Sequence, residues 1–302
     1  MTLQRGLYAA WKGASRDQGI YWSRLDGDRW TSEQPVSGAR TDSGPALSQD
    51  YLGLVLAWRG VGVDDNIYIS RFDGSQWVPP QRLNGAASSD GPALDPFDGI
   101  SPSLNLAAWK GRGNDDSVYC CYYRPDEPDK TTPAGIGGAF TSTTPAVGDS
   151  EGVNYLAWKG AGADESIYWT RRGMDWDPPR RVGGVSTSSG PTLSYADFGV
   201  GRAGTYMAWK GRGADEGIYW SHFDGTTDWT PQQPLGVSTS TGPALAKDFQ
   251  ASPAFAGLFM MWTGMSGDQR LYWSHFDGNQ WTPQRPVGAG SSSRPALIWY
   301  QA

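Results

Sequence analysis

The chain has 302 residues, a formal net charge of −6, 13% aromatic residues, 41 Gly and 16 Trp. Lys and Arg are spread along it and form no basic block, which argues against a nucleic-acid binder, and no apolar run is long enough to span a bilayer. The only cysteines, Cys120 and Cys121, are adjacent; strand alternation would point them to opposite faces, which excludes a disulfide framework and predicts two small buried side chains.

The chain opens in a strand, Leu7-Tyr8-Ala9-Ala10-Trp11, and Trp11 begins a phrase that is written six times. Its order is Trp, then Lys, Arg or Thr, Gly, three variable residues, Asp, two more, an aliphatic residue and Tyr, and it begins again at Trp58, Trp109, Trp158, Trp209 and Trp262. Trp-to-Trp distances run from 47 to 53 residues, a period that indicates a repeated supersecondary unit. The second repeat divides into Gly91-Pro92-Ala93-Leu94 or its counterpart Ser43-Gly44-Pro45-Ala46-Leu47, the apolar run Leu52 to Trp58, the β-branched and aromatic run Asn66 to Phe72, and, after the Asp73-Gly74 turn, Gln76-Trp77-Val78 as the closing outer strand.

The second strands Leu54 to Trp58, Tyr155 to Trp158 and Phe259 to Trp262 are apolar at every position. A sheet apolar on both faces must be covered on both, and six such sheets cover one another in a ring. The expected fold is therefore all-β: one domain over residues 1–302, a six-bladed β-propeller with four antiparallel strands per blade. The first repeat lacks a Pro-Ala-Leu strand and the chain ends on a spare one, Ser293 to Tyr300, so the C-terminal strand should join the N-terminal blade and close the ring. The third repeat replaces the Asp-Gly turn and following Trp with Arg124-Pro125-Asp126-Glu127-Pro128, which predicts an irregular outer strand and a weak site there, and an insert at 247–256 predicts a projecting loop.

Several repeated residues could carry ligand chemistry. Asp17, Asp64, Asp115, Asp164, Asp215 and Asp268 either accept sugar hydroxyls or cap their own hairpin loops. Lys12, Arg59, Lys110, Lys159 and Lys210 place a cation at each rim loop, either as a hydroxyl-binding donor or as a stem lying along the adjacent core Trp. Trp30, Trp77, Trp176, Trp229 and Trp281 offer either flat faces for a pyranose ring or a seal between blades. His222 and His275 occupy one equivalent surface position, held elsewhere by Arg24, Arg71 and Arg171. No nucleophile elbow, metal-ligand spacing or cofactor motif is present in the sequence, and the acids are distributed evenly instead of paired at one place.

Arg59-Gly60, Asp64, Ile67-Tyr68, Asp73-Gly74 and Trp77, with Gly183-Gly184, Thr187-Ser188 and Pro191, resemble the repeat of the bacterial β-propeller lectins typified by the fucose-binding Photorhabdus lectins. The resemblance covers the whole chain in six units, whereas those lectins have seven, and the loop between Gly and Asp is two residues longer here. It implies a lectin that binds fucose-like monosaccharides in pockets between blades, with cell-surface or free glycans as partners, no catalysis and oligomerisation left open. A propeller glycoside hydrolase or lyase, and a protein-interaction scaffold, are the alternatives. Met1 to Gly6 contain no apolar signal segment, which predicts cytoplasmic synthesis and, for external glycans, release by a non-classical route.

Overall fold

The apolar second strands do become sheet centres. A computed structural model describes residues 3–50, 52–95, 105–150, 152–226, 228–248 and 257–301. In blade two, β5 (Ala46–Asp50), β6 (Gly53–Arg59), β7 (Asn66–Arg71) and β8 (Gln81–Ala87) pair antiparallel in sequence order. Blade three repeats this with β9 (Ala93–Leu94), β10 (Asn105–Lys110), β11 (Ser117–Tyr123) and β12 (Ala134–Phe140). Blade four has β13 (Ala146–Ser150), β14 (Val153–Lys159), β15 (Ser166–Arg171) and β16 (Arg180–Ser186), and blade five β17 (Thr192–Asp197), β18 (Ala203–Lys210), β19 (Gly217–Phe223) and β20 (Gln233–Ser238). Blade six has β21 (Ala244–Asp248), β22 (Gly257–Thr263), β23 (Arg270–Phe276) and β24 (Arg285–Gly290).

Blade one is built from both ends of the chain. Its β1 (Gly6–Lys12), β2 (Gly19–Asp26), the short β3 (Arg29–Trp30) and β4 (Gln34–Arg40) are completed by β25 (Ala296–Tyr300), which pairs with β1 in the register Gly6↔Tyr300 to Ala10↔Ala296. The innermost strands touch in the closed order β25, β5, β9, β13, β17, β21 and back to β25. The fold is the expected six-bladed propeller, closed by its C-terminal strand. Six apolar clusters each join residues of two neighbouring blades; Tyr8 and Trp22 of blade one, for example, pack with Leu54, Leu56 and Trp58 of blade two. This explains why the second strands are apolar on both faces. The six core Trp residues are 0 to 2% exposed, and each lies opposite the Tyr of its own repeat, as in Trp58↔Tyr68 and Trp158↔Tyr168, where the rings stack at 6.1 and 6.3 Å.

The fourth strand lies further along than the sequence suggests. Trp77 makes only an isolated bridge with Phe72; Pro79 and Pro80 follow it and cannot donate to a ladder, so pairing resumes at Gln81. The true outer strands of blades one to four bury every third residue, as with Leu83 and Ala86 in β8, because a bulge near Gly85 (φ +68°) shifts the register. Blade three departs from expectation too: its outer strand β12 has the same burial pattern as β8, and the lost turn and Trp are replaced by a 3₁₀ turn at Pro128–Lys130. Cys120 and Cys121 are free and buried, as expected. His222, read as a surface residue, is 7% exposed, its ring 4.5 Å from that of Tyr206 because Gly204 leaves it room. Of the insert at 247–256, residues 247 and 248 end β21 and the rest lies outside the described residues.

Along the axis, the six inner strands enclose a cavity of about 60 Å³. Five blades enter their inner strand with Gly44, Gly91, Thr144, Gly190 or Gly242, and blade one enters with Arg294. The Arg294 side chain runs across the mouth past Gly242, and its Nη1 donates to the Pro191 carbonyl at 2.8 Å. Among the described residues no helix is long and apolar enough to cross a membrane.

Candidate ligand site between blades

Each rim loop between the second and third strands is held by its repeated Asp. One carboxylate oxygen accepts the backbone N–H two residues on and the other accepts the Tyr hydroxyl four residues on: in blade one Asp17 takes Gly19 and Tyr21, both at 2.8 Å, and in blade four Asp164 takes Ser166 and Tyr168, both at 2.9 Å. Asp64, Asp115, Asp215 and Asp268 repeat the arrangement. The accepted backbone N–H, helped by the Tyr hydroxyl, holds the Asp17, Asp115 and Asp164 carboxyls below the usual carboxylate range. At Asp268 the Arg270 guanidinium leads. The loop Gly is fixed by the same carboxylate, since a Cβ on Gly160 would come 2.5 Å from Asp164 Cγ.

The rim cations tie successive blades. Lys159 Nζ donates to Ser142 Oγ at 2.9 Å, in the crossover from blade three, and to the Gly160 and Gly162 carbonyls at 3.1 and 2.9 Å. Lys12, Lys110 and Lys210 bind Ser292, Ser89 and Ser188 at 2.6, 3.0 and 2.8 Å in the same way. Burial lowers the Lys159 pKa, and these ammonium groups are 5 to 6% exposed residues. Blade two substitutes both members of the pair: Arg59 meets Asp42 of the crossover at 3.9 Å and Asp65 at 2.6 Å. In blade six Thr263 donates to the Ser293 carbonyl at 2.9 Å.

The outer Trp set sits at the opposite end of the blades, beyond the far end of the third strand. Trp77 meets Trp22 of the preceding blade edge-on at 5.9 Å, Trp229 meets Trp169 at 6.0 Å, Trp281 meets Trp220 at 6.4 Å and Trp30 meets Trp273 at 6.4 Å. Trp176 packs by Tyr122 and Cys120 of blade three, with the Arg172 guanidinium 5.9 Å from its ring centroid. The predicted Asp and Lys set and the predicted Trp set are thus separated by the length of a strand.

A cavity of about 540 Å³ opens at the Asp end, between blades two and three. Asn66 and the bulge Gly85-Ala86-Ala87 form one wall; Trp109, Gly111, Arg112, Asp115, Tyr119 and Pro133 form the other. Its volume is on the scale of a small-ligand site. It combines a ring wall with a guanidinium at the lip. The blade expected to carry the weakest site thus lines an open pocket, since the missing Trp belongs to the other end. Arg112, Asn66, Tyr119 and Pro133 were not singled out from sequence. For Arg112 the signal was there: Lys110-Gly111-Arg112-Gly113 and Lys210-Gly211-Arg212-Gly213 carry Arg at a position where the other four repeats have Ala14, Val61, Ala161 and Met265. No group of three or more metal-ligating side chains occurs among the described residues.

No family model matches the sequence, and no curated protein matches it. Solved structures do. A lectin of Aleuria aurantia, in complex with Fucα1-6GlcNAc, is 16% identical, with 96% of this chain and 99% of that one covered and a TM-score of 0.65. A protein of unknown function from Dyadobacter fermentans is 13% identical over 92% and 96% of the two chains, with a TM-score of 0.60. The SapL1 lectin in complex with α-methyl fucoside is 13% identical over 82% and 83%, with a TM-score of 0.55. A further structure of the Aleuria lectin describes it as a six-bladed β-propeller, matching the blade number here where the seven-bladed Photorhabdus lectins do not. At these identities what is shared is the fold: this chain is a six-bladed β-propeller built on the same plan as these lectins.

Proposed function

We propose that the protein is a multivalent carbohydrate-binding protein, a lectin that takes single sugar units of cell-surface or free glycans into pockets between blades. The observation that carries this is the cavity between blades two and three, walled by Tyr119 and Pro133 and edged by Arg112 and Asp115. An aromatic wall suits the C–H face of a pyranose and charged groups at the edge suit its polar substituents. The sugar-bound structures of similar fold support the same reading and make a fucose-like monosaccharide the first ligand to try. The pocket lining contains one carboxylate, Asp115, where glycoside hydrolysis uses a facing pair, which favours binding over turnover. Repetition supplies the avidity: a millimolar site is worth about 4 kcal/mol, and several on one rigid ring raise apparent affinity about a hundredfold on a glycan-dense surface. A glycan array followed by calorimetry tests it. Saturable sugar binding that Tyr119→Ala weakens is expected; no binding to any glycan overturns it.

A further inference from the structure

The pocket between blades two and three is unbalanced in its free polar groups. Its carboxylate, Asp115, accepts from the Ser117 N–H at 3.0 Å and the Tyr119 hydroxyl at 2.9 Å, which also spends the Tyr119 proton. The Asn66 amide donates to Asp64 at 2.5 Å. Arg112, by contrast, is exposed at the lip, and its guanidinium has no hydrogen-bond or ion-pair partner among the described residues. A guanidinium offers five N–H donors and no acceptor. The pocket therefore presents a ligand with a positively charged donor array beside a ring wall.

The six repeats show that this is a local feature. The position after the loop Gly is Ala14, Val61, Arg112, Ala161, Arg212 and Met265 in turn. Arg212, at the interface of blades four and five, is likewise exposed and without a partner among the described residues. Where the fold needs a cation it repeats one, as with Lys12, Lys110, Lys159 and Lys210; Arg112 and Arg212 have no such duty. The chain as a whole carries a net charge of −6, so attraction of an anion has to come from these two guanidinium groups and not from the long-range field.

We infer that the interfaces of blades two with three and four with five select sugars bearing a carboxylate, a uronic or sialic acid unit, with Arg112 and Arg212 as the carboxylate-binding residues. A neutral pyranose presents hydroxyls that donate as well as accept, and a donor array satisfies half of that chemistry. A carboxylate presents acceptors alone, in the geometry that a guanidinium matches with two parallel bonds. The sugar ring then lies toward Tyr119 and Pro133. This rests on the lectin reading and narrows it from a fucose-like to an acidic sugar.

Calorimetric titration separates the two levels. The probes are methyl β-D-glucuronide and the methyl glycoside of N-acetylneuraminic acid, against the neutral methyl β-D-glucoside and methyl α-L-fucoside. Expected is binding of at least one acidic probe about tenfold or more tighter than the neutral ones, weakening with added salt. Arg112→Gln and Arg212→Gln each remove part of the acidic-sugar stoichiometry and the double variant removes it, all three melting as the parent does because both side chains are exposed. A neutral probe bound as tightly as both acidic ones, or acidic binding unchanged in the double variant, overturns the inference and leaves the lectin reading standing. Failure of all four probes together with a blank glycan array removes the lectin reading, and this inference with it.

Discussion

At the scale of single residues, the side chains that hold the rim loops and the blade interfaces recur from repeat to repeat, as the six core Trp and six loop Asp do. Trp158 is 1% exposed between blades, so Trp158→Ala should cost about 3–5 kcal/mol in urea unfolding. Gly160→Ala drives a Cβ into the Asp164 carboxylate, 2.5 Å from Cγ, and should cost about 1–3 kcal/mol, through loss of the N–H and Tyr168 bonds that order the loop. Because the folded-state pKa values of Asp17, Asp115 and Asp164 are depressed, their contribution is full above the ordinary carboxylate pKa near 3.8 and is lost as pH falls through the lower folded values. Acid unfolding of the parent should therefore show a steeper decline below that pH than Asp164→Asn does. The sequence left the Asp and Lys sets open between ligand and scaffold. In the structure each Asp bonds the Tyr hydroxyl four positions on, within its own repeat, and each of four Lys bonds a Ser of the crossover from another blade, a contact that no single repeat displays.

At the scale of elements, strand existence and the closing of the ring were legible because apolar runs and a missing first strand are properties of order along the chain. The outer strand was not, because a bulge replaces period two by period three, and a turn-proximal Trp mimics a strand. The tie between Arg59 and Asp42 replaces the Lys and Ser pair used elsewhere, so Arg59→Lys and Asp42→Ser should each destabilise while the double variant loses less than the sum, by about 0.5–1 kcal/mol in a double-mutant cycle. His222 and His275 are held below the usual histidine pKa, first of all by burial. A base buried neutral disfavours protonation in the folded state, so the two add no penalty above about pH 6.5. Below it the unfolded chain gains protons first and stability declines until the lower folded values are passed. His222→Gln with His275→Gln should flatten that part of the stability profile, measured as melting temperature against pH.

At the scale of the whole molecule, every blade depends on two neighbours, so the ring should unfold in one cooperative transition by both circular dichroism and tryptophan fluorescence. Removing residues 296–302 strips β25 from β1 and leaves Leu7 and Ala9, now 1% and 0% exposed, on an open edge; loss of the cooperative transition is expected, and partial recovery when the missing strand is supplied as a peptide. Coincident transitions in the truncated chain would refute this. The pairing of Gly6 with Tyr300 also sets a timetable for biosynthesis. β1 remains one partner short while the ribosome adds the residues that separate it from β25, roughly 15 s to a minute at about 5–20 residues per second. Over that interval the sheet that contains β1 is sticky, which makes it the segment for a chaperone to shelter.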